Sequence, residues 1–412
     1  MERPVTYKKK FIWNMLGSLS NAFSTLILTI SVNRILGGNS GGIFAFAYSN
    51  AQLMLTIGNF EVRPLQSTDI EEKYKFDIYY WFKIITCIVM MVITCIYIGV
   101  EGFSIEKKII VLFLALFKMV EAFTDVYGGR FQQLDRIDLT GKLFFVRVVI
   151  STIAFILLML FTNSLPIASI GIFLCSFGLY FIYDKKFIFE QDRRVGKVKV
   201  RELLSLFKEV LPLFIGSFVM MYLSNAPKYA INNIHGDEIQ NIYNILFMPA
   251  FVINLFSLFI FRPMLVEMTK NWIDGQLVQL WKSIGKVYGM IFAATLAVLV
   301  GTWFLGIPLL SLLYGINLAG YKIDLMLVMI VGGISAIMTF SYYIITVMRQ
   351  QNMLLIGYVV SFVFSFFVSD MFVKYFAIRG AIIAYGLSVT ILVLIYAMII
   401  VITNMKRKRQ ML

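Results

Sequence analysis

Long apolar stretches separated by short polar breaks dominate the pattern of this chain. A helix that crosses the hydrocarbon core needs about 20 mostly apolar residues, because the core is about 30 Å thick and each helical residue advances about 1.5 Å. The period-two alternation of a membrane barrel is absent. The pattern therefore predicts an all-α membrane protein with about twelve transmembrane helices. These segments cover 12–36, 42–60, 79–100, 108–128, 142–162, 165–183, 209–234, 242–261, 287–313, 323–348, 353–373 and 378–402.

The distribution of Lys and Arg between these segments predicts their orientation. If the N-terminus is cytoplasmic, the cytoplasmic segments contain 27 of the 37 Lys and Arg residues and the outer loops contain five. The remaining five lie within predicted spans: Arg34, Lys83, Lys118, Arg147 and Lys228. Positive residues concentrate on the cytoplasmic side of membrane proteins, and one missing span would destroy the alternation. We therefore predict that both termini are cytoplasmic.

Composition agrees with this class and changes the meaning of the net charge. Hydrophobic residues make up 59% of the 412 residues and charged residues only 15%, against roughly 25% in soluble domains. The formal net charge is +14. In a soluble protein this excess would suggest nucleic acid, but here it lies between apolar segments, so we expect no nucleic-acid partner.

The longest polar break, residues 184–208, contains eight Lys and Arg residues. It predicts an N-terminal six-helix lobe over 1–183, a basic cytoplasmic linker, and a C-terminal six-helix lobe over 209–412. One interpretation of the linker is an amphipathic segment on anionic headgroups. The other is that its charges only fix the topology.

The two halves are related by an internal repeat. A shift of 199 residues superposes the start of the second half on the first without gaps. The matched positions include Gly17 and Gly216, Asn33 and Asn232, Gly37 and Gly236, and the motif Phe60-x-x-Arg63-Pro64 with Phe259-x-x-Arg262-Pro263. Six spans per half give both halves the same orientation, which predicts a parallel repeat about an axis along the membrane normal. Transporters of this kind place their cargo between two lobes.

Polar stripes follow two helices related by the repeat. Such stripes line a wet cavity or form a seam between helices. The first span carries Ser18, Asn21, Thr25, Thr29 and Asn33, and the seventh carries Ser217, Ser224, Asn225, Lys228 and Asn232.

Charges at membrane depth are costly unless they pair, face a cavity or reach the interface. Snorkelling to the interface is one interpretation of Arg34, Lys83 and Arg147, which lie near predicted helix ends. In the fourth span, Lys118, Glu121 and Asp125 share one helical face. They form either a self-neutralising Lys118–Glu121 pair or a cavity wall whose acids couple to a cation or orient a basic group.

Arg63-Pro64 and Arg262-Pro263 lie at the predicted cytoplasmic ends of their helices. Each arginine could bind an incoming phosphate bidentately. The alternative is an interfacial anchor followed by a helix-ending proline.

Several kinds of chemistry have no support in the sequence. The only histidine is His235, and the three cysteines lie in apolar runs, so zinc sites and a Ser/His/Asp triad are not expected. No phosphate-binding loop of the G-x-x-x-x-G-K-[ST] type occurs. We therefore expect no cofactor and no enzyme activity.

Four stretches, 14–37, 59–69, 118–142 and 251–272, carry a resemblance to a known family. The chain resembles the Wzx-like polysaccharide and O-antigen repeat-unit flippases of the multidrug/oligosaccharidyl-lipid/polysaccharide exporter superfamily. The resemblance implies two six-helix lobes forming a V around a central cavity. It implies as cargo a sugar repeat unit on undecaprenyl diphosphate, moved to the outer leaflet of a bacterial plasma membrane.

With this cargo, basic groups and polar stripes would shield anionic oxygens and hydroxyls from hydrocarbon. The expected cavity residues are Lys118, Arg147, Lys228, Arg34, Asn21, Thr25, Asn225 and Asn232, with Glu121 and Asp125 as coupling acids and Arg63 and Arg262 at the cytoplasmic gate. Expected partners are the lipid-linked oligosaccharide, membrane lipids, and the polysaccharide polymerase and chain-length machinery. Two alternatives remain open: a cation-coupled drug or metabolite antiporter of the same fold, and a membrane-embedded glycan polymerase or transferase.

Overall fold

In a computed structural model, the described part of the chain is residues 6–69, 72–188, 192, 195–261 and 264–411, without the side chains of 7, 251, 252, 254–261, 266, 410 and 411. Regular secondary structure in these residues is entirely helical. The α-helices are α1 (Tyr7–Leu36), α2 (Gly38–Asn59), α3 (Val62–Thr68), α4 (Phe76–Val100), α5 (Ile105–Gln133), α6 (Ile137–Thr162), α7 (Leu165–Ile182), α8 (Val200–Phe261), α9 (Leu265–Ile273), α10 (Leu277–Tyr314), α11 (Lys322–Val347) and α12 (Leu354–Met411).

Two of these helices each contain two long limbs. The backbone leaves the helical conformation at Gly236 in α8 and at Ala377 in α12. With the limbs counted separately and the short helices α3 and α9 set aside, twelve long segments occur among the described residues, in the order of the predicted spans. By length and composition, eight helices of the described chain could cross a membrane: α1, α4, α6, α7, α8, α10, α11 and α12. The prediction of an all-α, multi-pass membrane protein is confirmed.

The internal repeat has a counterpart in the backbone. Gly37, which separates α1 from α2, has φ 84° and ψ 176°, and Gly236 has φ 82° and ψ −177°. This conformation is accessible essentially only to glycine. The same break therefore occurs at both positions of the 199-residue offset. A short helix also follows the second long segment of each half, α3 in the first and α9 in the second.

The chain forms two compact units, Met1–Met221 and Tyr222–Leu412. In the first unit α1 packs mainly against α6, and α2 packs against α5; in the second, α11 packs against α10 and α12. Small residues allow α1 and α6 to approach closely, because a Cβ at Gly17 would lie 2.9 Å from the carbonyl oxygen of Gly141. The predicted division at the linker stays a prediction, and α8 begins within that linker at Val200.

The described part of the linker packs against the rest of the first unit. The Arg130 guanidinium donates to the Asp192 carboxylate over 3.1 Å, and the Trp81 indole donates to the Gly196 carbonyl over 2.9 Å. Burial raises the pKa of Asp192 above its ordinary value, although Arg130 opposes the change. Ile188 is also buried. At these positions the linker contacts protein, so the headgroup interpretation does not apply to them.

Candidate functional site

The first unit contains a polar cavity of about 380 Å³. Five of the predicted site residues lie on its wall, which is built mainly from α1, α5 and α6. The lining residues are Asn14, Gly17, Ser18, Asn21, Asn59, Arg63, Glu121, Thr124, Asp125, Tyr127, Gly128, Phe131, Thr140, Gly141, Leu143, Phe144, Arg147, Asp184 and Ile188.

The polar stripe on α1 serves two purposes. Its first part, with Ser18 and Asn21, lines the cavity. Further along the helix, the Thr25 hydroxyl lies 3.1 Å from the hydroxyl of Tyr48, and Ser24 Oγ lies 2.6 Å from Thr152 Oγ1. Thr25 therefore belongs to a seam with neighbouring helices, as polar side chains often do in membranes, and not to the cavity wall.

A tight break between α2 and α3 positions Arg63. Phe60 and Glu61 both have left-handed backbone conformations, with φ 47° and 51°. Pro64 lies in the first turn of α3, where its missing N–H leaves no hydrogen bond unmade. The interpretation of this proline as a helix end is therefore wrong, because the left-handed pair ends α2. Arg262 and Pro263 lie outside the described residues.

The carboxylate of Asp125 contacts two cationic side chains. Arg63 Nη1 donates to Asp125 Oδ1 over 2.9 Å, and Lys83 Nζ lies 3.9 Å from Oδ2. Lys83 also donates to the carbonyl oxygens of Gly58 at 3.3 Å and Asn59 at 3.0 Å. Its side chain is only 1% exposed. Snorkelling is therefore wrong for Lys83: the unpaired carbonyls at the C-terminal end of α2 attract the ammonium inward.

Glu121, which is also on α5, is paired with a lysine of the same helix. Lys118 Nζ donates to Glu121 Oε2 over 2.7 Å and lies 5.1 Å from the centre of the Tyr48 ring. Lys118 is buried and is not among the lining residues, whereas Glu121 is. The self-neutralising pair is thus present, and Glu121 and Asp125 also line the cavity, whereas their coupling to a cation stays a prediction.

Arg147 pairs with a residue that the sequence did not suggest. Its Nη1 donates to Asp184 Oδ2, and both side chains line the cavity while being more than nine-tenths buried. Asp184 Oδ1 is buried with no hydrogen-bond partner in the described part of the chain. The pair joins α6 to the short turn Asp184–Phe187 after α7. Arg147 does not snorkel, because this carboxylate holds it inside the unit.

The other predicted residues that the structure describes are not among the lining residues of this cavity. Arg34 is exposed in the last turn of α1. In the second unit, Lys228 Nζ donates to Asn225 Oδ1 over 3.1 Å. Asn232 donates to Asp237 at 2.6 Å and to Gln240 at 2.9 Å, across the break at Gly236. The structure thus brings Asn225 and Lys228 together and gives Asn232 a role in the helix break.

The cavity presents both hydrogen-bonding groups and rings. The rings of Tyr127, Phe131 and Phe144 share the wall with amide and hydroxyl side chains (Asn14, Asn21, Asn59, Thr124 and Thr140). Among the described residues, no group of three His, Cys, Asp or Glu side chains could hold a metal ion. Such a surface suits an uncharged or mixed-charge polar ligand. Asn14, Asn59 and Tyr127 were not predicted; only Asn14 had a signal, because it extends the α1 stripe by one turn.

Solved structures with the same fold are membrane transporters. The lipid II flippase MurJ in an inward closed conformation matches with a TM-score of 0.71 at 14% identity, covering 93% of this chain and 86% of that one. An inward-facing multidrug resistance MATE family transporter of the MOP superfamily matches with a TM-score of 0.64 at 13% identity, covering 96% and 95%. A MOP superfamily transporter from Pyrococcus furiosus matches with a TM-score of 0.58 at 13% identity, covering 97% and 95%. At this identity the likeness shows the fold, which is that of the two-lobed MOP transporters.

Comparison at the level of sequence identifies the family. No curated protein matches the chain. Residues 7–269 match the family described as polysaccharide biosynthesis protein, and this match spans more than half of the sequence. The chain therefore belongs to the polysaccharide biosynthesis protein family.

Proposed function

We propose that this protein is a flippase for undecaprenyl-diphosphate-linked oligosaccharide repeat units. It moves them by alternating access across the bacterial plasma membrane, with both of its termini in the cytoplasm, for a surface polysaccharide of the capsule or O-antigen type. The observation that carries the proposal is the polar cavity in the first unit of a chain from a polysaccharide biosynthesis family. The polymerase and chain-length machinery would use the translocated unit.

The cavity addresses the main physical obstacle to flipping. Each hydroxyl that enters hydrocarbon without a partner costs several kcal/mol, about 4–8 kcal/mol on a scale with no hydrogen bonding. A wall of amides, hydroxyls and paired charges replaces the lost water, and several weak contacts allow the cargo to leave again. In this proposal the residues that touch cargo are Asn21, Arg63, Glu121, Asp125 and Arg147. Lys118 and Thr25 position them, and Asn225, Lys228 and Asn232 bind cargo within the second unit. Arg34 contacts cargo near the outer end of α1, and Arg63 and Arg262 form the cytoplasmic gate.

A cation-coupled antiporter is the second candidate function. It is favoured by the presence of Glu121 and Asp125 on one cavity wall and by a fold shared with a multidrug MATE transporter. However, Glu121 already pairs with Lys118, and Asp125 with Arg63. Paired acids hold a cation less well than free ones, so we rank the flippase first.

A complementation experiment in cells tests the proposal. Deletion of the gene should make lipid-linked repeat units accumulate on the cytoplasmic leaflet. The wild-type protein should restore surface glycan, and so should the control Thr162→Trp, because Thr162 is exposed at the end of α6. Ser18→Trp should not restore it, because the indole fills the cavity. Accumulation of short chains outside the cell would instead support the polymerase. Normal glycan with increased drug sensitivity would support the antiporter.

A further inference from the structure

The cations of the cavity in the first unit are already neutralised. Arg63 pairs with Asp125 at 2.9 Å, and Arg147 pairs with Asp184. The third acid on the wall, Glu121, pairs with Lys118 behind it. The lining residues thus contain two arginines and three carboxylates, so the wall carries no excess of positive charge.

This balance is unfavourable for a diphosphate. To bind it, Arg147 would have to leave Asp184, which then stays unpaired beside a polyanion. Otherwise Arg63 would have to leave Asp125, which then keeps only Lys83, at 3.9 Å, among the described cations. Removing one partner from a buried ion pair is strongly destabilising because the other charge is left uncompensated. Like charges placed together also oppose binding. The anionic part of the cargo therefore has no ready site in this cavity.

The wall also contains two hydrogen-bond acceptors that have no donor among the described residues. Asp184 is 5% exposed, and its Oδ1 has no hydrogen-bond partner within the described residues. Oδ1 of Asn59, an uncharged residue on the same wall, is likewise buried without a hydrogen-bond partner among the described residues. Buried acceptors are normally satisfied, and one left without a donor costs free energy. Both atoms therefore call for a ligand that donates hydrogen bonds.

Aromatic rings complete the wall. Tyr127, Phe131 and Phe144 line the same cavity. A sugar ring offers hydroxyl donors at its edge and C–H groups on its face, and the latter pack against aromatic rings. Acceptors beside rings thus match a sugar better than they match a phosphate.

We propose that the cavity of the first unit binds the glycan of the cargo, and not its diphosphate, with Asp184 and Asn59 accepting hydrogen bonds from sugar hydroxyl or protonated amino groups. This inference rests on the proposed flippase function and assigns one part of the headgroup to one unit. Asp184 is then a specificity-determining residue, and Arg147 holds it in place.

Binding to the full-length protein in nanodiscs tests this assignment. Two probes are used: undecaprenyl diphosphate carrying the repeat unit, and undecaprenyl diphosphate without sugar. Asp184→Asn should raise the Kd for the sugar-bearing lipid about tenfold, the usual effect of losing a hydrogen bond to a charged group. The Kd for the sugar-free lipid should stay unchanged, because in this proposal the diphosphate does not bind in the cavity. Asp135→Asn, whose side chain is 86% exposed, is the matched control and should change neither value.

The alternative is that the cavity binds the diphosphate, and it predicts the opposite change in the Kd for the sugar-bearing lipid. If Arg147 binds the diphosphate here, Asp184→Asn releases Arg147 from its ion pair and lowers the Kd for both lipids. That result would overturn the inference. Asn59→Leu provides a second variant without an ion pair, for the case that Asp184→Asn does not fold. It should weaken only the sugar-bearing lipid, and unchanged binding by Asn59→Leu would also overturn the inference. Wild type that binds no sugar-bearing lipid would instead refute the proposed function itself.

Discussion

A lysine at membrane depth can serve as a helix cap as well as a ligand. Lys83 is fully enclosed, where it donates to two carbonyl oxygens at the end of α2 and supports Asp125. We predict that Lys83→Met lowers the free energy of unfolding by about 1–3 kcal/mol, because buried acceptors lose their donor. Lys286→Met, at an exposed position of α10, should change it by less than about 0.5 kcal/mol. Denaturant unfolding in detergent measures both, and equal stabilities would contradict the capping role.

The carboxylate of Asp69 organises the turn between α3 and α4. It accepts hydrogen bonds from the backbone N–H groups of Lys73 at 2.8 Å and Tyr74 at 3.0 Å, and from the Tyr79 hydroxyl at 2.9 Å. Burial by itself would raise the pKa of Asp69, but these hydrogen bonds outweigh it and lower the pKa below the ordinary value.

A lowered pKa of an acid implies that the turn is stabilised when the acid is ionised. The stabilisation is complete above the ordinary pKa and is lost as pH falls through the lowered value. We predict that amide exchange at Lys73 and Tyr74 is slower in wild type than in Asp69→Asn at about pH 6, and that the difference disappears toward about pH 2–3. Hydrogen exchange of both proteins at each pH measures this ratio. A ratio independent of pH would show that the carboxylate does not hold the turn.

At the residue scale, sequence could predict contacts within one helix and little beyond. Lys118 and Glu121 are three residues apart on α5, so helical geometry alone places them together. Arg147 and Asp184 are 37 residues apart on different elements. Their contact depends on how α6 and α7 pack, which no local pattern encodes. For the same reason the sequence suggests the membrane interface for Lys83 and gives no indication of its contact with the end of α2.

At the scale of elements, the paired helix breaks are the most specific feature. Gly37 and Gly236 share a conformation with positive φ and extended ψ. We predict that Gly37→Ala and Gly236→Ala each lower stability by about 1–3 kcal/mol, the typical cost of strain in this region. Gly285→Ala is the control: it lies inside α10 with open space for a Cβ, so it should be neutral or stabilising by up to about 1 kcal/mol. Thermal unfolding in detergent compares the three, and equal effects would contradict the strained breaks.

The long elements were predictable because crossing a bilayer requires an apolar length. The repeat was predictable because glycine is nearly obligatory at the breaks, so its spacing survives in the sequence. The short helices α3 and α9 were not predicted, since they are too short for a hydropathy window. Likewise, α8 begins at Val200, before its apolar stretch, because helix formation does not require the amphipathic first turns to be apolar.

At the scale of the whole molecule, the charge asymmetry predicts the orientation. A single cysteine in place of Lys408, introduced after replacement of Cys87, Cys95 and Cys175, should be protected in intact cells from a membrane-impermeant maleimide. A cysteine in place of Asn163, between α6 and α7, should be labelled. The reverse pattern would mean that the chain is inserted with its termini outside.

Reconstituted flipping tests the proposed function most directly. Proteoliposomes containing undecaprenyl diphosphate with a tagged repeat unit are treated with a membrane-impermeant lectin that detects sugar on the outer leaflet. Wild type and Thr162→Trp should make the inner pool accessible over time. Ser18→Trp should give the rate of protein-free vesicles, because the indole occupies the cavity. Flipping by Ser18→Trp at the wild-type rate would remove the cavity from the pathway, and a wild-type rate equal to that of protein-free vesicles would contradict the flippase.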